Sequence, residues 1–322
     1  MATGKALPTS RHFQLHELAE GIYAATSIEG SGSGSNAGII DLGDSTIIFD
    51  TFQTPQAAAD LRAAAEQLTG RQVGTVINSH WHGDHTQGNQ VFAPAPETVV
   101  VATKRTGELM ATRGAQSVER HRTVIPAELQ KMEAQLQQEQ DEQKRRDLLV
   151  EIGEVREIAE SIHTLTLRLP DQVFEERLLF QGSKRSAELL TYGGGHTESD
   201  AFLIISGERL AFLGDLLFVQ SHLWVGHGDP AEWRYIIQRV QTLDLQTCVP
   251  GHGPIGTPED FPTEIRYLET IEEIVGDALQ NDTPAEEAAA TPIPEKYARW
   301  AWSVGWGANI QTLIEKARKR TA

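Results

Sequence analysis

The sequence contains a single cysteine, Cys248, among its 322 residues. One cysteine excludes a disulfide within the chain and any metal site built from several thiolates. The first 30 residues carry Arg11, His12, His16 and Glu17 between short apolar stretches, so they lack the continuous apolar segment of a signal peptide. Both observations predict a protein of the reducing cytoplasm.

Long apolar runs and positive charge are also scarce. No segment approaches the roughly 20 consecutive apolar residues that a transmembrane helix needs, so the protein is not expected to span a membrane. Acidic residues number 45 against 28 basic ones, which gives a net charge of −17. Such a charge repels nucleic-acid backbones and anionic membrane surfaces. The expected partner is therefore a small-molecule substrate.

Strand-like apolar runs separated by turns make up much of what is present. The predicted strands are residues 21–26, 38–42, 46–50, 73–77, 98–104, 178–181, 189–192, 201–206, 209–213 and 247–249. The predicted helices are residues 54–70, 230–243, 264–279, 294–302 and 309–318. The first of these helices has the clearest ends, because Thr54 precedes a proline at the first helical position and Gly70 closes the segment. This alternation indicates an α/β protein.

Residues 126–162 differ from the rest because they are dense in Glu, Gln, Lys and Arg. Apolar residues recur at helical spacing in the second half of the segment, from Leu148 to Ile162. The pattern predicts one long helix or an antiparallel pair that projects into solvent. The simplest interpretation is a charged surface helix without a function of its own, and a lid or a homodimer contact are the alternatives.

Four potential metal ligands lie within six residues in the stretch NSHWHGDHTQGN, namely His80, His82, Asp84 and His85. The stretch follows the predicted strand 73–77, and open α/β sheets usually place their chemistry at the carboxyl ends of strands. Histidines two residues apart on a turn can direct their nitrogens to one point, while the adjacent aspartate and histidine face a second point. The cluster therefore predicts one metal ion or two.

Three more candidate ligands follow predicted strands elsewhere in the chain. They are His196 in YGGGHTESD, Asp215 in LAFLGDLLF and His252 in CVPGHGPIG. Each of them alone could be an ordinary loop, cap or turn residue. Because a catalytic zinc ion usually needs three protein ligands, we expect these strand ends to converge on the histidine cluster.

Together these residues resemble the ligand set of the metallo-β-lactamase-fold superfamily of metal-dependent hydrolases, over roughly residues 20–260. The resemblance implies a four-layer αβ/βα sandwich, with two sheets face to face, helices outside and metal ions at one edge. On this basis residues 1–262 are expected to form the hydrolase domain, interrupted by a helical insertion at about 104–163. Residues 263–322 are expected to form a helical extension packed on that core.

The resemblance also implies a role for each ligand. The first metal ion would be bound by His80, His82 and His196, the second by Asp84, His85 and His252, and Asp215 would bridge the two. The implied cofactors are two divalent ions, with zinc expected and manganese or iron as alternatives. The bridging aspartate resembles the glyoxalase II and lactonase branches, whereas the best-known zinc β-lactamases have cysteine at this position.

The implied activity is hydrolysis of a small ester, lactone, thioester or amide, β-lactams included, by a hydroxide that bridges the two metal ions. Asp84 would be a catalytic residue that steers the proton of this nucleophile. One alternative is a mononuclear iron persulfide dioxygenase that has ligands like His80, His82 and His196 on the same fold. Others are a phosphodiesterase and a non-enzymatic protein that binds a partner through the helical insertion.

Residues around the candidate ligands are predicted to support a ligand or to line a substrate pocket. Asp50, at the end of a predicted strand, resembles a superfamily aspartate that braces a ligand imidazole, and a turn cap is the equal alternative. A substrate pocket is predicted around Trp81, His222, Trp224 and His227. Aromatic residues at such positions more often serve packing, so both interpretations stand at this stage.

Overall fold

A computed structural model describes residues 6–92 and 98–321. Its first sheet has seven strands that neighbour one another in chain order: β1 (Phe13–Ala19), β2 (Ile22–Ser27), β3 (Ala37–Asp41), β4 (Thr46–Phe49), β5 (Thr75–Ile77), β6 (Val99–Thr103) and β7 (Gln172–Phe174). Strands β1 to β4 pair antiparallel, and β4 to β7 pair parallel.

The second sheet has five strands: β8 (Arg177–Gln181), β9 (Ser186–Thr191), β10 (Ala201–Ile205), β11 (Leu210–Phe218) and β12 (Thr247–His252). All neighbouring pairs are antiparallel except β11 with β12, which run parallel. The parallel pairs of both sheets therefore direct several strand ends to one edge of the molecule.

The helices are α1 (Pro55–Thr69), α2 (Gly83–Thr86), α3 (Lys104–Leu109), α4 (Ala115–Gln138), α5 (Glu142–Ser161), α6 (Pro230–Val240), α7 (Asp260–Gln280), α8 (Ala285–Ala289) and α9 (Val304–Thr321). Both predicted ends of α1 are confirmed, since the Thr54 side chain accepts from Ala57 N at the start and Gly70, with φ +71°, closes the helix. No helix within the described ranges is long and apolar enough to cross a membrane.

The sheets face each other across a buried apolar layer that includes Phe49 and Phe212, whose ring centroids lie 5.8 Å apart. Helix α1 covers the outer face of the first sheet. Helices α6, α7 and α9 cover the outer face of the second sheet, around the fully buried Trp233 and Tyr267. The predicted four-layer α/β sandwich with a helical tail is thus confirmed. The predicted boundary after residue 262 falls inside α7, which begins at Asp260. The division into a hydrolase domain and a helical extension stays a prediction.

The helical insertion is an antiparallel pair, α4 and α5, and α4 continues through Pro126. It does not simply project into solvent, because α5 packs on the glycine-rich loop at residues 29–36. Arg11 also forms an ion pair with Glu157 of α5, with an N–O distance of 2.6 Å. The helix predicted over residues 294–302 is wrong, since only a 3-10 turn at Glu295–Tyr297 forms there.

Candidate metal centre

The four segments that carry the candidate ligands meet at one edge of the sandwich. His80 and His82 lie in the turn after β5, and α2 holds Asp84 and His85. His196 lies in the loop between β9 and β10, and His252 is the last residue of β12. Asp215 differs from the expectation, because β11 continues past it to Phe218. Its neighbour Gly214 has φ +52°, and a Cβ there would lie 2.6 Å from Ser79 Cβ.

The ligand atoms form two adjacent groups. In the first, atoms of His80, His82, His196 and Asp215 all lie within 4.8 Å of one another. His196 Nε2 is 2.9 Å from His82 Nδ1 and 3.1 Å from Asp215 Oδ2. His80 Nε2 is 3.8 Å from the same oxygen, is fully buried, and has no hydrogen-bond partner among the described residues. We call His80, His82 and His196 the first subsite.

The second group contains Asp84, His85 and His252, here called the second subsite. Asp84 Oδ2 lies 3.2 Å from both His85 Nε2 and His252 Nε2. Asp215 reaches this group as well, with Oδ1 at 3.1 Å from His85 Nε2 and Oδ2 at 3.4 Å from His252 Nε2. Asp215 therefore lies between the two subsites. This donor set fits a pair of divalent cations, because nitrogen and carboxylate oxygen are ordinary ligands of such ions.

The two subsites differ in charge. Burial lowers the pKa of His80 and His82 well below the usual range and that of His196 to about 4, which keeps these imidazoles neutral. Burial also disfavours a charged His252, but Asp215 and Asp84 outweigh it and raise its pKa to about 9.

The pKa of His85 is likewise raised, by Asp215, Asp84 and Asp50 against the opposing effect of burial. The pKa values of Asp84 and Asp215 are lowered well below the usual range, chiefly by His85, although burial opposes this. Without a metal ion, protons on His85 and His252 would therefore compensate the carboxylates.

Asp50 connects ligands of both subsites. Its Oδ2 lies 2.8 Å from His85 Nδ1 and accepts from Ser79 Oγ at 2.8 Å, while Oδ1 accepts from Ser79 N at 2.8 Å. Because Ser79 donates its hydroxyl proton to Asp50, it accepts from His80 Nδ1, at 3.0 Å. Both imidazoles then carry their proton on Nδ1 and present the Nε2 lone pair to the cation. Burial raises the pKa of Asp50, whereas His85 and Ser79 favour its ionised form.

The loop of His196 is held by Asp200, a residue that the sequence interpretation did not single out. Its carboxylate accepts from Gly195 N and Thr197 N, each at 2.9 Å, and from Thr197 Oγ1 at 2.7 Å. Burial raises the pKa of Asp200 to about 7. The signal in the sequence was its position directly before the strand β10, at the end of a loop rich in glycine.

The four predicted pocket residues have different environments. His227 Nδ1 lies 2.8 Å from His82 Nε2, so this residue contacts a ligand directly. Trp224 is partly buried beside His227, with ring centroids 6.2 Å apart. Trp81 is only 6% exposed and packs on apolar residues of α3 and the following turn. His222 is not brought to the site, because it is buried against Tyr267 of the helical tail.

A polar cleft of about 490 Å³ opens beside the first subsite. It is lined by Arg113, Thr197, Glu198, Gly226, His227, Gly228, Asp229, Glu232, Lys316 and Arg320. Arg113 forms an ion pair with Glu198 at 2.6 Å, and Lys316 Nζ lies 3.4 Å from Gly228 O. The basic side chains come from the segment after α3 and from α9, so sequence proximity to the ligands could not reveal them.

Comparison with known proteins gives a family and several similar folds. Residues 30–252 match a family model described as the metallo-beta-lactamase superfamily. Similar solved structures include metallo-beta-lactamases from Pontibacter korlensis (17% identity, TM-score 0.58, 80% of this chain and 99% of that chain) and Hirschia baltica (16%, 0.56, 80% and 97%). A third is FIM-1 from Pseudomonas aeruginosa in a mono-zinc form (16%, 0.57, 82% and 98%). Comparison with curated proteins gives no match. At these identities the structural likeness shows the fold alone.

Proposed function

The chain belongs to the metallo-beta-lactamase superfamily, whose model matches residues 30–252, and we propose that it is a binuclear metal-dependent hydrolase of a small ester, lactone, thioester or amide. The superfamily consists mostly of metal-dependent hydrolases. The observation that carries the proposal is the position of Asp215, whose carboxylate lies within 3.1 Å of an imidazole nitrogen in each subsite. One shared carboxylate between two ligand groups is an arrangement that suits two neighbouring cations, because its charge offsets their repulsion.

The residues present suit two zinc ions, with manganese or iron as alternatives, and β-lactams are among the candidate amides. When bound, two such ions would supply a water nucleophile at neutral pH by lowering the pKa of water, and would polarise a carbonyl group. Asp215 would keep the ions close by offsetting their mutual repulsion. Asp50, through His85 and through Ser79, would hold the ligand rings in the tautomer that binds metal.

Asp84 is the proposed catalytic carboxylate. Its side chain is 24% exposed, so it borders the open side of the centre while Oδ2 stays 3.2 Å from the second-subsite imidazoles. A carboxylate in this position can accept and return the proton of an attacking water molecule. His252, 23% exposed, lies on the same open side and stacks on Phe218 with ring centroids 5.0 Å apart.

The cleft supports a small molecule as substrate. Its volume of about 490 Å³ lies in the range of small-ligand sites, and His227 connects its wall to the metal ligand His82. A net charge of −17 opposes nucleic acids and anionic membranes as partners. A cytoplasmic location belongs to the same proposal and is supported by the single, buried cysteine.

A mononuclear iron dioxygenase is the second candidate, favoured by the first subsite, in which three neutral imidazoles suffice for one ion. The fold also occurs in a mono-zinc form in the Pseudomonas aeruginosa structure. A phosphodiesterase ranks lower because the acidic chain repels polyanions.

The test combines elemental analysis of the purified protein with a chromogenic panel of lactones, esters, thioesters, a cephalosporin and a phosphodiester. We expect two equivalents of zinc or manganese and turnover of at least one carbonyl substrate. A single equivalent of iron together with oxidation of a persulfide would support the dioxygenase instead. Two bound ions without turnover of any carbonyl substrate would contradict the proposed reaction class.

A further inference from the structure

The glycine-rich loop at residues 29–36 is confined between α5 and the metal-binding turn. Gly30, Gly32 and Gly34 all have φ between +74° and +82°, a region that favours glycine. A Cβ at Gly32 would lie 2.5 Å from a side-chain carbon of Glu157, and one at Gly34 would lie 2.8 Å from Asp84 Cβ. The small residues therefore let the helical insertion approach the second subsite.

Glu154 of α5 is the carboxylate that this close packing brings to the site. Its Oε2 accepts from Gly32 N at 2.9 Å. Its Oε1 is buried and has no hydrogen-bond partner among the described residues. A Cβ at Gly34 would lie 2.8 Å from Asp84 Cβ and 3.7 Å from this Oε1, so Asp84 and Glu154 both lie next to Gly34.

The electrostatic environment agrees with this placement. Burial raises the pKa of Glu154, Asp84 raises it further, and His252 lowers it, so the carboxylate experiences the charges of the second subsite. A buried acceptor without a hydrogen-bond partner, such as Glu154 Oε1, is unfavourable. A cation in the second subsite would attract the Glu154 carboxylate and make its buried position favourable.

Charge compensation leads to the same residue. Two divalent cations would bring four positive charges into a largely buried centre, where Asp50, Asp84 and Asp215 supply three negative ones. This inference rests on the binuclear function proposed above: we propose that the Glu154 carboxylate adds negative charge next to the second subsite and strengthens divalent-cation binding there. The helical insertion is then a part of the metal centre rather than an inert surface element.

The test measures zinc binding to the full chain after chelator treatment, by competition with a chromophoric chelator at neutral pH. Glu154→Gln keeps the shape of the side chain and removes its charge. We expect the second binding step to weaken by about tenfold or more, the size seen when outer partners of metal ligands are removed, and the first step to change less than about twofold. Glu154→Asp, which keeps the charge, should restore most of the second step.

A matched control is available on the same helix. Glu151 is exposed and lies three residues before Glu154, so Glu151→Gln makes the same charge change away from the site. It should leave both binding steps unchanged. Equal weakening by the two variants would mean that the effect is a general loss of negative charge and would overturn the assignment.

Thermal unfolding of the metal-stripped proteins separates a metal-binding role from a merely structural one. Glu154→Gln removes a buried charge near Asp84, so without metal it should melt at or above the temperature of the parent. A structural role would instead lower the melting temperature along with zinc affinity. If Glu154→Gln does not fold, a Glu154→Asp variant with an unchanged second step supports the assignment, and one weakened equally in both steps overturns it.

The outcomes also distinguish this inference from the proposed function. A parent protein that binds only one ion contradicts both. A parent that binds two ions, with a Glu154→Gln variant that binds two equally well, contradicts the role of Glu154 alone.

Discussion

The two candidate metal subsites share Asp215 but differ in the exposure and the protonation of their residues. In the first subsite, His80 and His196 are fully buried, and burial keeps their imidazoles neutral. In the second, Asp84 and His252 are partly exposed, and without a cation the imidazoles carry protons. The first subsite therefore offers free lone pairs, whereas the second must release protons before it binds an ion.

This difference indicates an order of binding. An ion would enter the first subsite without proton release and gain three neutral nitrogen donors. The second ion must displace the protons of His85 and His252, and its binding depends on the surrounding carboxylates. We therefore expect the first subsite to bind more tightly near neutral pH. Variants that affect one subsite, or both, test this comparison.

The largest effect is expected from Asp215→Asn, because this residue contacts both subsites. The neutral amide cannot offset the repulsion between two cations, so the second zinc equivalent should be lost. Hydrolysis should fall by more than about 100-fold, since several kcal/mol of transition-state stabilisation depend on the metal pair. Elemental analysis and steady-state kinetics provide the measurement. A variant that retains two equivalents would show that Asp215 does not bridge.

Asp50 and Ser79 provide the next comparison. Asp50 orients His85 directly and His80 through Ser79, whereas the Ser79 hydroxyl orients His80 alone. Asp50→Asn should weaken both zinc-binding steps by about 10–100-fold, since it disturbs the proton on His85 Nδ1 and, through Ser79, that on His80 Nδ1. Ser79→Ala should weaken the first step more than the second. Zinc competition titrations of both variants measure this. Equal effects of Ser79→Ala on both steps would contradict the assigned hydrogen-bond chain.

A smaller effect concerns how the free energy of unfolding of the metal-stripped protein depends on pH. The pKa of His252 is raised to about 9, so the stability that its proton contributes is present below about pH 6.5 and is lost as the pH rises through 9. His85 acts in the same direction. We expect the free energy of unfolding to fall by at least about 1 kcal/mol between pH 7 and 9, measured by urea denaturation.

Two controls sharpen this pH dependence. Saturating zinc should remove the alkaline loss, because a metal-bound imidazole no longer titrates in this range. His252→Gln should reduce the loss in the metal-stripped protein. An alkaline loss of the same size in His252→Gln would assign it to other groups.

Much of the centre was predictable because its ligands follow strand ends. His80 to His85, His196 and His252 each come where an apolar run opens into a glycine-containing loop, and parallel pairing brings such ends together. The alternation of strands and helices indicated an α/β protein, whereas the four-layer sandwich was implied by the resemblance to the metallo-β-lactamase superfamily. Helix α1 was predicted within a residue at each end, because Thr54 and Gly70 are strong local signals.

Other features depend on tertiary packing and left no local signal. Glu154 is one of 45 acidic residues, and only the approach of α5 to a glycine-rich loop distinguishes it. Ser79 and Asp200 matter through the direction of their hydrogen bonds, which a sequence does not specify. The wrong helix at residues 294–302 contains Tyr297 and Trp300, which pack on Tyr267 of α7 instead of continuing a helix.

The smallest effect on zinc affinity is expected at His227. This residue contrasts with His222, which was predicted to line the same pocket. His82 Nδ1 lies in the first group of candidate ligand atoms, so with a metal ion there His82 would carry its proton on Nε2 and donate it to His227 Nδ1, at 2.8 Å. His227→Ala should weaken the first zinc-binding step by about tenfold, the lower end for such partners, because the His82 ring remains held by the turn.

His222 contacts Tyr267 in the tail interface, with an N–O distance of 2.8 Å. Hence His222→Ala should lower the free energy of unfolding by about 1–3 kcal/mol and leave zinc affinity unchanged. If His222→Ala weakened zinc binding as much as His227→Ala does, the tail interface and the first subsite would be coupled, and the two histidines could not be assigned separate roles.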